Sequence, residues 1–352
     1  MSNEHHWVMG NKPASAFCCA LRALRTWVFS FPMLRALRAL ALGYDCRALR
    51  ALAASRPKLQ FHCVHHHLGP MRFIVQVVLL AILSLRAEPL RLMVCIAPQV
   101  ESVRAIAGTD ADISVLVPPG ASPETYSPSA KELKRLADTH ILFTIGAPIE
   151  AALLPKIRRS FPTVRVIDAT AGMAFREIDD EDSHHHSHNH AGHDPHVWLS
   201  IANMNIHSAI VLHALSELAP DKAAVFNDNF KAYIQKLDQL SQEIAALMKP
   251  KTGSSIMVFH PAFGYFLDEY GIRQISIEAD GKQPSAKHLA HLTQVIKTQG
   301  HRYLFIQPQT NDNDARSLAK ALGLSVKTLN PLPSEYSAGL KAIAQTIAAP
   351  TP

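Results

Sequence analysis

With 352 residues, 48% of them hydrophobic, the chain can bury a sizeable core and divides naturally into about two domains. Its formal charge of +6 is no nucleic-acid signature: residues 1–70 hold nine Lys or Arg against two Asp or Glu, which leaves −1 for residues 71–352. Four of the five cysteines also precede Met71, so the remainder, with Cys95 alone, has no disulfide available.

Residues 1–70 repeat an Ala-Leu-Arg theme without a steady period, and no fold is predicted for them. They read as an extension from a mis-assigned start, the alternative being amphipathic, membrane-associated helices. From Met71 the pattern changes. Arg72 is a short basic start, residues 73–85 are apolar, and Ala87 precedes Glu88-Pro89, which is the layout of a secretory signal peptide over 71–87, too short for a comfortable membrane span. The exported part is therefore expected to be a soluble periplasmic protein. Cys95 lacks the small-residue context of a lipidation site and reads as a buried thiol in a strand.

Beyond residue 88 strands and helices alternate. Apolar runs at 90–96, 113–117, 141–145 and 164–167 predict strands, with helices at 100–107, 129–137 and 149–158 between them. Gly108, Pro118-Pro119-Gly120 and Gly146 punctuate the elements, and Ser129 with Glu132 forms a capping box. Such alternation with short turns means parallel strands covered by helices, so residues 88–200 form one α/β lobe. A helix follows at 201–218. From 221 to 248 apolar residues recur at spacings of three and four (Phe226, Phe230, Tyr233, Leu237, Leu240, Ile244, Leu247), predicting one helix roughly 40 Å long at ~1.5 Å per residue. Residues 201–249 thus join the first lobe to a second, 250–352, which repeats the theme. Its strands are expected at 255–259, 274–277, 303–307 and 325–329, its helices at 262–270, 286–298, 312–322 and 336–348. The fold class is α/β, two parallel-sheet lobes joined by one long rigid helix, with ligand binding at strand carboxyl ends across the cleft between them.

Between Ser183 and His196 histidine occupies seven of fourteen positions, inside a loop placed at 181–193. Neutral imidazole is a common ligand for zinc and copper, so the tract either collects divalent metal or is a solvated insert without a role. His196 differs from the rest, because it stands between Pro195 and Val197-Trp198-Leu199, where the loop re-enters folded structure. Glu124 follows the strand and turn ending at Gly120, and His260 sits directly after Phe259. One carboxylate and two imidazoles from separate segments make a credible zinc set, although each taken singly also reads as an ordinary hydrogen-bonded loop residue. Glu278, Asp280 and Lys282 either line the cleft or form a solvated turn. Tyr265, Phe266 and Tyr270 read as helix-face packing, and Trp198 as the anchor of the loop return.

From residue 90 to 347 the chain resembles the cluster A-I solute-binding proteins of bacterial zinc and manganese ABC importers. The resemblance lies in the stretches 116–126 (LVPPGASPETY), 193–199 (HDPHVWL), 259–266 (FHPAFGYF), 307–309 (QPQ) and 329–332 (LNPL). It implies a metal site between the lobes with His196 and His260 as two ligands, and Glu124 where a first histidine is usual. A carboxylate suits zinc but also makes manganese or iron less implausible. The fourth place is left to Asn330, Glu335 or water. The function implied is a monomeric periplasmic zinc-capturing component that serves an inner-membrane ABC permease and its ATPase, and no nucleic acid. The alternatives are a manganese or iron importer component, or a zinc buffer or adhesin without a transporter. A zinc hydrolase has least support, for no HExxH motif is present and no general base is evident.

Overall fold

The computed structural model describes residues 88–177, 193–278, 284–309 and 312–350, all within one unit, Ala87–Pro352. The expected extension 1–70, the signal peptide 71–87, the histidine tract up to residue 192, and Asp280 and Lys282 lie outside the described residues. The first lobe runs β1 (Leu90–Val94), α1 (Val100–Ala107), β2 (Ala111–Val115), α2 (Ala130–Lys134), β3 (Ile141–Thr144), α3 (Pro148–Ser160) and β4 (Arg165–Asp168). Helices α4 (Ile201–Leu218) and α5 (Ala223–Met248) follow. The second lobe runs β5 (Ser255–Val258), α6 (Gly264–Asp268), β6 (Arg273–Ser276), α7 (Ala286–Gln299), β7 (Tyr303–Ile306), α8 (Asp312–Ala321), β8 (Ser325–Thr328) and α9 (Tyr336–Ala348). The sheets have the same parallel plan, β2-β1-β3-β4 and β6-β5-β7-β8.

Period-two alternation in the central strands divides the core. In β1, Leu92 and Val94 face a cluster under α4 while Met93 and the adjoining Cys95 face the other side. In β5, Ile256 and Val258 take the same side as Met93, whereas Met257 faces a separate cluster with Leu304 and Ile306 of β7. One face of each sheet thus belongs to a single apolar cluster that runs through both lobes. Helix α5 supplies Tyr233, Leu237, Leu240, Ile244 and Met248 to it, and α9 supplies Tyr336, Leu340 and Ile343. A polar tie reinforces the junction: Glu101 of α1 accepts from Lys236 Nζ of α5 at 2.6 Å and from Ser337 N of α9 at 2.9 Å. Lobes that share a core in this way have little freedom to swing apart.

The expected order of elements holds, with local differences. The capping box at Ser129 and Glu132 forms, but α2 lasts five residues before tightening into a 3-10 turn at Arg135–Asp138. The helix expected at 262–270 shortens to α6, and the N–H of its N-cap residue Phe263 is satisfied by Gln274 Oε1 at 2.8 Å. Cys95 is fully buried, as expected, and burial pushes its thiol pKa up.

Gly339 in α9 lies against Pro333, and a Cβ there would overlap the proline ring. The loop before α9 therefore rests directly on helix backbone. Gly339→Ala, normally helpful inside a helix, is expected to cost about 1–3 kcal/mol through overpacking, read as a lower denaturation midpoint. An unchanged or raised midpoint would show that the loop yields without cost.

Candidate metal centre

The three candidate residues are brought together from three loops at strand carboxyl ends. Glu124 lies in the turn after β2, where Ser122 Oγ accepts its N–H at 3.2 Å and Ser122 O accepts Tyr126 N–H at 2.9 Å. Pro123 O accepts Ile149 N–H at 3.0 Å, which ties this turn to the start of α3. His260 stands one residue beyond β5, and the intervening Phe259 is held by backbone bonds to Phe305 and Glu278. His196 sits in a turn made by Asp194, whose Oδ1 accepts His196 N–H at 3.0 Å.

One potential ligand atom from each of Glu124, His196 and His260 lies within 4.8 Å of the others. Glu124 Oε1 is 2.9 Å from His260 Nε2 and 3.7 Å from His196 Nε2, and the imidazole centroids are 5.4 Å apart. His196 is 7% exposed and the Glu124 side chain 35%, so the imidazoles are sheltered and the carboxylate forms the open side.

Each imidazole is oriented through its other nitrogen. His196 Nδ1 is 2.7 Å from Asp194 Oδ1, and His260 Nδ1 is 3.0 Å from Glu278 Oε2. A carboxylate accepts only, so both Nδ1 atoms carry protons and both Nε2 atoms are the ones left to meet a cation. His260 Nε2 is buried and, although close to Glu124, has no hydrogen bond of proper direction. A buried nitrogen that faces a carboxylate oxygen without a well-directed hydrogen bond fits a cation held between them.

The carboxylates and imidazoles of the site are coupled electrostatically. Burial works to depress the His260 pKa, but Glu124 and Glu278 outweigh it and lift it to about 9. Burial likewise works to raise Glu124, and His260, then His196, bring it below the usual carboxylate value. The site thus has net carboxylate character that attracts a proton or a metal ion.

Other residues named from sequence fall into place around it. Trp198 packs edge-on against His196 at 5.3 Å and donates Nε1–H to Pro331 O at 2.7 Å, anchoring the loop return. Asn330 Oδ1 accepts from Leu332 N–H at 3.0 Å and Gln309 Nε2 at 2.8 Å, so it serves its own turn. Glu335 is exposed at the start of α9 and does not join the three-residue cluster. Phe266 and Tyr270 pack edge to face at 5.3 Å, as expected of helix packing, while the Tyr265 hydroxyl bonds to residues beside His196. Asp194 and Glu278 were not legible as orienting groups. The available signals were a carboxylate two residues before His196 and one just beyond the strand beside His260's.

Two lobes sharing a core, a long helix spanning them and a carboxylate-imidazole cluster at their facing strand ends define a solute-binding protein with its ligand site in the interlobe cleft. The chain belongs to the family described as zinc-uptake complex component A, periplasmic, which it matches over residues 92–349. The zinc-binding protein AdcA of Streptococcus pyogenes is 30% identical over 252 residues, 67% of this chain and 49% of that protein. The zinc-binding lipoprotein AdcA of Streptococcus pneumoniae is 31% identical over 245 residues, with the same shares. The chain thus spans about half the length of these curated relatives. A crystal structure of ZnuA superposes with a TM-score of 0.68 at 30% identity, covering 74% of this chain and 98% of that one. Zn(II)-bound AdcA of Streptococcus pneumoniae gives 0.61 at 26% identity, covering 74% and 57%. Among the described residues no helix is long and apolar enough to cross a membrane.

Proposed function

We propose that this chain is the periplasmic zinc-capturing component of an ABC import system, which binds one zinc ion in the cleft and hands it to an inner-membrane permease driven by an ATPase. The observation that carries the reading is the convergence of Glu124 Oε1, His196 Nε2 and His260 Nε2 with both Nδ1 atoms tied to carboxylates. Two imidazoles and a carboxylate are a familiar zinc set, and water fills the open fourth place on the Glu124 side. Family membership and the zinc-binding names of the relatives support the choice of metal and the transport role. A shared core favours a partly preformed site that closes over the ion with small movements.

The reading is of a binding protein rather than a hydrolase. Asp194 is engaged with His196, Glu278 with His260, and Glu124 belongs to the ligand set, so none of these carboxylates is available as a general base. The carboxylate ligand keeps manganese and iron as outcomes of the test.

Chelator competition on the purified chain is expected to give one tight zinc site, weakened by several orders of magnitude in His196→Ala and His260→Ala. Deleting 181–191, which spares His193, should remove only weaker additional zinc. Full-affinity binding in both alanine variants would refute the ligand assignment, and a preference for manganese over zinc would refute the choice of metal.

A further inference from the structure

The two ends of the histidine loop meet as an antiparallel bridge between Glu177 and His193. One step inward, Asp194 donates its N–H to Arg176 O at 2.7 Å, so Arg176 and Asp194 form the base of the stem. The stem is held by α6 of the opposite lobe through three successive features. Gly264 has no side chain where Arg176 lies, and a Cβ there would come within 2.6 Å of the guanidinium carbon. The Tyr265 hydroxyl accepts Arg176 N–H at 2.8 Å and donates to Asp194 O at 3.1 Å, bridging both strands of the stem. Asp268 accepts from Arg176 Nε at 2.6 Å.

Arg176 also faces inward. Its Nη1 is 3.6 Å from Asp194 Oδ2, a buried oxygen of a 2% exposed side chain that has no hydrogen bond and needs a positive charge beside it. The other oxygen of the same carboxylate orients His196. Helix α6 begins four residues after His260, so the segment presenting one imidazole grips the stem presenting the other.

We infer that Arg176 is a positioning residue for the metal site: anchored across the cleft by Asp268 and ion-paired with Asp194 of its own stem, it fixes His196 relative to His260 before any ion arrives. The inference rests on Glu124, His196 and His260 being the zinc ligands. It gives the loop stem a task of its own, as a clamp between the lobes built from described residues on both sides.

Zinc affinity of the full chain, measured by chelator competition, tests it. Arg176→Gln is expected to weaken binding by about 10–100-fold, the usual cost of losing an orienting partner. Asp268→Asn, at the exposed end of the clamp, retains the fold and loses several-fold. If Arg176 acts through Asp194, then in an Asp194→Asn background the further change Arg176→Gln costs little, an interaction that a general structural loss does not produce. Wild-type affinity in both Arg176→Gln and Asp268→Asn overturns the clamp, as do losses that multiply in the double variant. If Arg176→Gln does not fold, Asp268→Asn alone decides. A wild-type chain that takes up no zinc, or a His196→Ala chain that binds as tightly as wild type, overturns the ligand reading instead.

Discussion

Zinc uptake by the metal-free chain at pH 7 is expected to release about one proton from His260, and apparent affinity is expected to rise about tenfold per pH unit until it levels off near pH 9. The reason is competition for one lone pair. Burial alone would depress this imidazole, but Glu124 and Glu278 hold it as a cation with a pKa of about 9. Zinc needs the neutral Nε2, so the proton must leave as the metal enters. Glu124 adds none at neutral pH, because despite its burial the neighbouring imidazoles keep it ionised below the usual range. The sign for stability runs the other way. In the metal-free protein the raised His260 pKa favours folding fully below the unfolded value of about 6.5, and that gain is lost as pH climbs towards 9. Titration calorimetry in buffers of different ionisation enthalpy reads the proton count. Glu278→Gln, which removes one of the two carboxylates, should lower the count at pH 8. No proton released at pH 7, or an affinity flat from pH 6 to 9, would sink this account.

How far the site could be read from sequence depended on what each residue's role required. Glu124, His196 and His260 announce themselves because each stands at a break in pattern, just past a strand end or where a loop rejoins the fold, and parallel sheets put their sites there. The long helix was equally plain, since an apolar stripe at spacings of three and four extends through α5. Orienting groups were harder. Glu278 meets His260 only because β6 pairs with β5 in parallel register, Val258 opposite Ser276, a fact of strand order that no local pattern carries. Arg176 meets Gly264, Tyr265 and Asp268 across the cleft, some ninety residues along the chain, and Gly264 matters by what it lacks. Helix ends also shifted, as where α6 spans only Gly264–Asp268 of the expected 262–270. Residues whose chemistry is local were legible; residues whose partners are set by topology were not.

Acid is expected to destabilise the chain through His207, a residue without any sequence signal. It lies in α4, fully buried near the Phe143 ring of β3, among polar partners whose directions are fixed. Gln99 Oε1 accepts the N–H groups of Cys95 and Ile96 at 2.9 and 3.1 Å, so its amide nitrogen is what faces His207 Nε2 at 3.1 Å. Ser102 Oγ donates to Gln99 O at 3.0 Å and therefore accepts from His207 Nδ1, also 3.0 Å away. This leaves His207 neutral, with its proton on Nδ1 and no acceptor for a second one on Nε2. Burial depresses its pKa to about 3. The unfolded chain takes up that proton near pH 6.5, so stability is full above this value and declines by about 1.4 kcal/mol per unit as pH falls towards 3. By pH 5 the loss is about 2 kcal/mol, a substantial part of the ~5–15 kcal/mol that holds a domain together. His260 acts in the opposite direction over the upper part of this range, where its unfolded form is still taking up its proton, and the comparison of two proteins that both retain it removes its contribution. Denaturant titrations with chelator present, from pH 7 to 5, measure the slope. His207→Gln is expected to cost stability at pH 7 yet to lose about one proton's worth of that slope, since glutamine does not titrate. Taking the difference between the two proteins cancels the buried carboxylates Glu150 and Glu269, which burial raises and which act in the opposite direction. Equal slopes in both would mean that another group carries the acid sensitivity.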